Sequence, residues 1–187
     1  MKTTLLFAAT CASALAMTGL AGAATSTATT SELLFFGATR GCEAGQAPPC
    51  IAVNTVDYDY DGVRTELEVC VSGADQGCAQ VPLSALKVDS SRRSASATVP
   101  VTLMHFNPDD TFTARLATVT LGFQAGSGAL QNTKTVTTGV NGAGCRVRYT
   151  TVAKLWNGTL RATLDGATHA GAAQLGTYQI TDRTKSC

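Results

Sequence analysis

From Leu33 onward, apolar and polar residues alternate along most of the chain, and Gly, Asn or Asp interrupts the alternation at intervals. Residues 95–103 are the clearest example, because apolar residues occupy the odd positions and Ser, Thr or Pro the even positions. Alternation with a period of two places successive side chains on opposite faces of a strand. The pattern therefore predicts half-buried strands and no long helix.

The segments that show this pattern are predicted to be strands. They are 33–36, 51–60, 63–71, 81–88, 95–106, 112–123, 133–138, 145–156, 159–164 and 175–180. Many short strands with short connections are typical of an antiparallel β-sandwich or a partly closed barrel. We therefore expect an all-β fold of about ten strands, braced by disulfide bonds.

Asp61 and Gly62 predict a tight turn between two of these strands, because an Asp-Gly pair tolerates the positive φ angles of a type I′ turn. A two-residue turn at this position sets the register and places Val56 opposite Leu67. The acidic residues of this hairpin then lie on its solvent face, where Arg64 is expected opposite Asp59.

Asn157 and Gly158 predict a second hairpin of the same kind. One of its faces is apolar, and the other carries Trp156 among basic residues. These are Arg146, Arg148, Lys154 and Arg161. An exposed Trp flanked by cations can stack on a sugar ring or hold an acidic polymer, so these residues are a candidate site for an acidic glycan or protein partner. The alternative is that Trp156 only covers the end of the core.

The first 23 residues predict a secretory signal peptide. Lys2 precedes an apolar stretch over residues 5–20, and small residues at 21–23 match a cleavage site. A transmembrane anchor is the competing interpretation, but polar residues and glycine interrupt the stretch, and a span needs about 20 predominantly apolar residues. We expect a secreted, extracellular chain with a flexible Ala/Thr/Ser spacer at 24–31 and a single all-β domain at 32–187.

Six cysteines remain after the predicted signal peptide, and an even set in an exported protein favours disulfide bonds. They are Cys42, Cys50, Cys70, Cys78, Cys145 and Cys187. The same short spacing predicts the pairs Cys42–Cys50 and Cys70–Cys78, which leaves Cys145 and Cys187 for a long bridge. A zinc site is the alternative, but the sequence has no C-x2-C motif and both histidines lie far from any cysteine.

Charge is divided unevenly along the predicted mature chain. Residues 24–111 contain 5 basic and 11 acidic residues, whereas residues 112–187 contain 8 basic and 2 acidic residues. The two halves either neutralise each other within one fold or attract a partner or a second copy of the chain. The mature chain has no net basic excess, so we do not expect nucleic-acid binding. We also expect no membrane span after signal removal.

Asp57, Asp59, Asp61 and Glu68 fit the D-x-[DN]-x-[DN]-G-x5-E pattern of a calcium-binding loop. Carboxylate oxygens are the ligands that Ca²⁺ prefers, so calcium is the one cofactor that the sequence suggests. The flanks alternate with period two, however, whereas helices flank an EF-hand loop. A plain hairpin with an acidic solvent face explains the same residues without a metal.

Catalytic chemistry has little support in the sequence. His105 with Asp109 and Asp110 is the one recognisable acid–base set, and these residues also suit a strand end and a following turn. The sequence contains no nucleophile elbow, zinc-protease helix or phosphate-binding loop. We expect a secreted, non-enzymatic binding, surface or structural domain. The alternatives are a self-assembling extracellular component that uses opposite-charge faces, or a secreted hydrolase.

Overall fold

The computed structural model describes residues 26–42, 49–56, 64–141 and 143–184. Within these ranges the chain forms one sheet of nine antiparallel strands, together with a 3-10 helix, Leu83–Ala85. The strands are β1 (Ser26–Thr39), β2 (Cys50–Val56), β3 (Glu66–Ser72), β4 (Asp75–Pro82), β5 (Lys87–Val88), β6 (Ser94–Phe106), β7 (Phe112–Val140), β8 (Arg146–Leu164) and β9 (Ala167–Thr184). The predicted all-β, antiparallel fold class is confirmed. No helix in the described part is long and apolar enough to cross a membrane.

The sheet closes on itself. Its strand order is β4-β3-β2-β1-β9-β8-β7-β6-β5, and β4 also pairs with β6 at Asp75↔His105 and Gln76↔Met104. Eight strands therefore form a ring, and β5 lies farther along the same side of β6. Of the two predicted architectures, the partly closed barrel describes the molecule.

Four strands continue beyond the ring as an open sheet, which we call the extension. It comprises residues 26–35, 130–140, 146–156 and 175–184, in the order β1-β9-β8-β7. The pairing of β6 with β7 ends at Gln124, and the pairing of β2 with β1 is confined to residues 36–38. Within the described part of the chain, the extension therefore has two edges without a paired strand, one on β1 and one on β7.

The hydrophobic core fills the inside of the ring. Along β6, buried Val99, Val101 and Leu103 alternate with exposed residues, as the sequence predicts. Leu121 of β7 and Leu160 of β8 pack in the same cluster. Complete burial of an aliphatic side chain stabilises a fold by about 1.5–3 kcal/mol, so the ring supplies most of the stability.

Two of the predicted strand breaks do not exist. The segments 112–123 and 133–138 are joined in β7, and the segments 145–156 and 159–164 are joined in β8. The glycine-rich residues 126–128 lie within β7, where the register with β8 shifts between Ala125 and Leu130. A shift of this kind lets one strand change curvature without ending.

The predicted turn at Asn157 and Gly158 is therefore wrong. Gly158 lies inside β8, opposite Ala125, and a Cβ atom there would lie 2.3 Å from the carbonyl oxygen of Gln124 and 2.6 Å from the ring of Phe123. Glycine occupies this position because the neighbouring strand comes too close for any side chain. The Asn-Gly pair is a packing feature and not a turn.

The turn that joins β8 to β9 is formed by Asp165 and Gly166. Both residues have positive φ angles, 50° and 79°, and Leu164 pairs with Ala167 directly beside them. These are the features of a two-residue type I′ hairpin. The Asp-Gly pair at this position therefore sets the register of the two strands over their whole length.

The hairpin of β2 and β3 has a register that differs by one residue from the prediction. Val56 lies opposite Glu66, and Leu67 lies opposite Thr55. Thr55 therefore faces the core, where its hydroxyl oxygen accepts a hydrogen bond of 3.1 Å from the Phe35 amide. A satisfied buried hydroxyl lets a polar residue occupy a position that alternation assigns to an apolar one.

Residues 26–31, predicted to belong to a spacer, form the first half of β1. Ser26 pairs with Thr184, and Ser31 pairs with Gln179. Thr27 through Ser31 have exposed side chains, so backbone pairing with β9 and the strand preference of Thr hold this segment in place. The predicted signal peptide lies outside the described residues.

Two of the predicted disulfide bonds are confirmed. Cys42 bonds to Cys50 and Cys70 bonds to Cys78, with Cα–Cα distances of 4.6 Å and 4.1 Å. The second bond joins directly opposite residues of β3 and β4. Cys145 is buried and also disulfide-bonded. Its predicted partner, Cys187, lies outside the described residues.

Candidate functional site

One face of the extension is basic. Successive residues of a strand alternate between faces, so Arg148 and Trp156 of β8 share a face, and so do Leu175 and Arg183 of β9. Because Leu175 belongs to the buried core, this face continues the inner side of the ring. Its basic residues are Lys134, Arg146, Arg148, Lys154 and Arg183, which we call the cationic face.

Two arginines lie side by side on the cationic face. Arg148 is directly opposite Arg183 on the adjacent strand, and the neighbours of this pair on the outer strands are Thr138 and Thr27. Directly opposite residues have Cβ atoms about 4.5–5.5 Å apart, and like charges at that distance destabilise the pair. The fold therefore holds two positive charges together at a cost.

No acidic residue compensates for this charge in the described part of the chain. None of the ion pairs found there involves a residue of the cationic face. A pocket of about 780 Å³ lies at the tip of the face. Arg146, Arg148 and Arg183 line this pocket together with Thr138, Gly139, Val140 and Val147. An anionic group placed there would contact several guanidinium groups at once.

Trp156 lies at the base of the cationic face, next to the ring. Its side chain is half-buried and packs against the core, and the guanidinium carbon of Arg93 lies 4.9 Å from the ring centroid. The sequence predicted cations beside Trp156, but not Arg93, which comes from the segment before β6. The Trp side chain covers the core where the cationic face begins.

The rest of the face is polar and exposed. Asn132, Lys134 and Thr138 of β7 and Gln179 of β9 are all solvent-exposed side chains with hydrogen-bonding groups. Amide and hydroxyl groups beside cations suit a hydroxylated, negatively charged ligand, since they pair with hydroxyls while the cations pair with carboxylate or sulfate.

No protein-family model, curated protein or solved structure matches this chain. Its candidate site therefore rests on its own geometry.

One of the basic residues predicted to lie beside Trp156 is on the other face of the sheet. Arg161 lies on β8 at an odd position and is exposed on the outer side of the sheet, opposite Gly122 and Ala170. The prediction for Arg161 was wrong because it placed a hairpin turn at Asn157 and Gly158, where the strand in fact continues. Arg183 was missed for the same reason. The Asp165 turn, read as a hairpin, would have placed Arg183 opposite Arg148 from the sequence alone.

The proposed calcium ligands are not assembled in the described residues. Asp57, Asp59 and Asp61 lie outside them, and Glu68 lies on β3 opposite Asn54, with its Oε1 atom 3.5 Å from the Gln80 side-chain nitrogen. Within the described part of the chain, no three His, Cys, Asp or Glu side chains are grouped to hold a metal. The calcium hypothesis stays a prediction.

Arg64 has a partner that the sequence did not predict. It forms an ion pair with the buried Glu32 of β1, and its guanidinium group lies over the ring of Tyr178 at 5.6 Å from the centroid. Glu32 and Tyr178 are directly opposite each other on the outer face of the extension. Arg64 therefore attaches the segment before β3 to that face, and its predicted partner Asp59 lies outside the described residues.

His105 lies in an ionic cluster where the ring closes. Its Nδ1 atom is 2.9 Å from Asp75 Oδ1, and Arg115 bridges Asp75 and Asp165 with nitrogen–oxygen distances of 2.9 Å and 2.6 Å. Hydrogen bonds from Arg115 hold the pKa values of both carboxyl groups below their usual range. The side chain of Asp109 instead bonds to Thr111 within the turn, so the predicted set of His105 with Asp109 and Asp110 is not formed.

This cluster ties together four segments of the ring. Asp75 is on β4, His105 on β6 and Arg115 on β7, and Asp165 is in the turn after β8. Arg115 and His105 together engage both oxygens of Asp75. The arrangement suits closure of the ring end better than proton transfer, because the carboxylate is already neutralised by the bridging Arg115.

Proposed function

We propose that this protein is a secreted, non-enzymatic binding domain whose cationic face holds an acidic carbohydrate polymer. The observation that supports the proposal most directly is the Arg148–Arg183 pair, which lies in an open pocket with no carboxylate lining it among the described residues. Adjacent like charges weaken a sheet, so a ligand that neutralises them gains binding energy from relief of their repulsion.

A polymer fits the dimensions of the face better than a small anion does. Arg146 and Lys154 are eight residues apart on one strand, which corresponds to about 26 Å at 3.3 Å per residue. Several consecutive acidic sugars are needed to reach both ends. Lys134 on β7 lies between them, opposite Val152.

Trp156 gives the face a second kind of contact. The exposed part of a half-buried indole can pack against the apolar side of a sugar ring. Arg93 over the same indole adds a cation at the point where the face meets the ring. Carbohydrate is therefore favoured over a flexible acidic peptide.

Secretion is supported by the sequence and by the cysteines. Residues 1–23 have the charge, apolar stretch and small-residue site of an export signal. Disulfide bonds such as Cys42–Cys50 and Cys70–Cys78 persist in oxidising compartments. An extracellular protein meets acidic polysaccharides of cell surfaces and matrices.

The test is titration calorimetry of the mature, oxidised protein with polygalacturonate, and with neutral dextran as the control polymer. We expect polygalacturonate to bind and dextran not to bind. Affinity should fall as salt is raised from 50 mM to 500 mM, because exposed charges are screened over a shorter distance.

A pair of variants on one strand locates the site. Arg148→Glu is expected to weaken polygalacturonate binding at least tenfold, since it reverses one charge of the central pair. Arg161→Glu makes the same charge change on the same strand but on the opposite face, and should alter affinity less than twofold. Equal losses in the two variants would mean that net charge, and not this face, governs binding, and would refute the proposal.

A further inference from the structure

Among the described residues, no strand pairs with the outer edge of β7 over residues 130–140. Residues 130–140 pair with β8 on one side, and every one of these residues is exposed. An unpaired edge presents a row of backbone N–H and C=O groups that can bond to another strand.

The composition of this edge favours pairing. It contains four threonines and two valines, which suit strands, and it contains no proline and a single charge, Lys134. Proteins usually protect an edge with charges, proline, a bulge or a very short strand. The edge at β5 is protected in this way, since it has two residues and begins with Lys87.

We propose that two copies of this chain pair antiparallel along residues 130–140, with Thr135 at the twofold axis. Directly opposite residues of an antiparallel pair lie on the same face, and successive residues of a strand alternate between faces. In two identical strands, opposite residues are therefore both even-numbered or both odd-numbered, and their numbers add to an even total. The register in which opposite residue numbers add to 270 pairs all residues of the edge without overhang. It places Thr135 opposite itself, Leu130 opposite Val140 and Lys134 opposite Val136.

The side chains are complementary in this register. Leu130, Val136 and Val140 are among the few large apolar side chains exposed in the described residues, and all three lie on one face of the edge. Pairing buries Leu130 against Val140 at both ends, and Lys134 meets the aliphatic Val136 and not a second Lys134. An isologous contact of this kind closes as a dimer.

The dimer would be an eight-stranded sheet with both cationic faces on the same side. Repulsion between the two cationic faces therefore opposes dimerisation, and added salt should strengthen the dimer by screening this repulsion. Assembly through opposite charges would respond to salt in the opposite direction. Eleven residues per copy are about half of a standard interface of 20–30 residues a side, so we expect a dissociation constant in the micromolar range or weaker.

Disulfide cross-linking tests the register. Cys70 and Cys78 show that directly opposite residues of this sheet can form a disulfide bond. Thr135→Cys is expected to give a covalent dimer on a non-reducing gel. Thr137→Cys is the matched control, because it is equally exposed on the same face but lies four positions from its own copy, about 13 Å along the strand.

Sedimentation velocity of the oxidised protein over a range of concentrations tests the interface itself. Val136→Lys places two lysines opposite each other and should weaken the dimer at least tenfold. Thr120→Lys adds the same charge to the part of β7 that is paired with β6, and it should leave the dissociation constant of the dimer unchanged. A monomer at all concentrations and salts, oligomers larger than dimers, or cross-linking of Thr137→Cys alone would overturn the proposal.

Discussion

Four strands run through both the ring and the extension, but the two regions differ in the interactions that stabilise them. In the ring, every strand has a second neighbour and an inner face of buried apolar residues, such as Val119 and Leu121 of β7. In the extension, β7 continues as Asn132, Lys134 and Val136, all exposed. The strand keeps its backbone pairing with β8 while its side chains leave the core.

The difference separates stability from recognition. The ring has a core, two disulfide bonds and an ionic cluster at its closure. The extension keeps unneutralised charge, a pocket and an open edge. A rigid ring can support an adjacent surface whose own interactions are unfavourable, because the cost of that surface is small beside the energy of the core.

Core truncation is expected to give the largest contrast between the two regions. Leu103→Ala removes a fully buried side chain of the ring and should lower the free energy of unfolding by about 2–5 kcal/mol. Val136→Ala removes an exposed side chain of the extension and should change it by less than about 0.5 kcal/mol. Equilibrium unfolding in urea measures both, and similar losses would mean that the extension is as tightly packed as the ring.

The next largest loss of stability is expected from a substitution at Gly158, where the ring joins the extension and two strands lie very close together. Gly158→Ala places a Cβ atom against the Gln124 carbonyl oxygen and the Phe123 ring and should destabilise the protein by about 1–3 kcal/mol. Gly122→Ala is the control, because a Cβ atom there has nothing within 4 Å. Thermal unfolding distinguishes them, and equal effects would contradict the packing explanation.

Acid should weaken the ring closure specifically. Arg115 lowers the pKa values of Asp75 and Asp165 from 3.8, so their stabilisation is complete above that value and disappears as pH falls through the lowered pKa. Arg115→Gln should therefore lower the unfolding midpoint at pH 7 and have a smaller effect at pH 2. Arg161→Gln, an exposed arginine without an ion pair among the described residues, should show no such pH dependence.

The smallest effect is expected on the cationic face. Arg148→Gln removes its repulsion with Arg183 and should raise the free energy of unfolding by up to about 0.5 kcal/mol at low salt. The gain should vanish in 1 M salt, where the screening length is about 3 Å. A loss of stability at low salt would mean that Arg148 has a stabilising contact and that the face is not strained.

Much of the ring could be predicted from the sequence, because burial of one face imposes a period of two. Residues 95–103 alternate strictly, and the structure buries the apolar set. The short cysteine spacings likewise identified two disulfide bonds correctly. Errors arose where a residue type serves two purposes. Gly158 fits a turn as well as a close strand contact, and only the neighbouring Phe123 decides between them.

The extension was harder to predict because most of its side chains are exposed or only partly buried. Residues 26–31 look like a spacer by composition, and only their pairing with β9 makes them a strand. Arg183 joins Arg148 through a register set at Asp165, about eighteen residues away in either direction. The sequence identified Arg146, Arg148, Lys154 and Trp156 on one face, but not the strand that completes the site.

An amide chemical-shift titration of the mature, oxidised protein with a short oligogalacturonate tests directly whether the cationic face binds the acidic ligand. We predict that shifts concentrate on residues 132–140, 146–154 and 177–183, while the outer side around Arg161 and the ring closure around His105 stay unchanged. Shifts centred on Arg161 or His105, or spread evenly over all basic residues, would contradict the assignment of recognition to the cationic face.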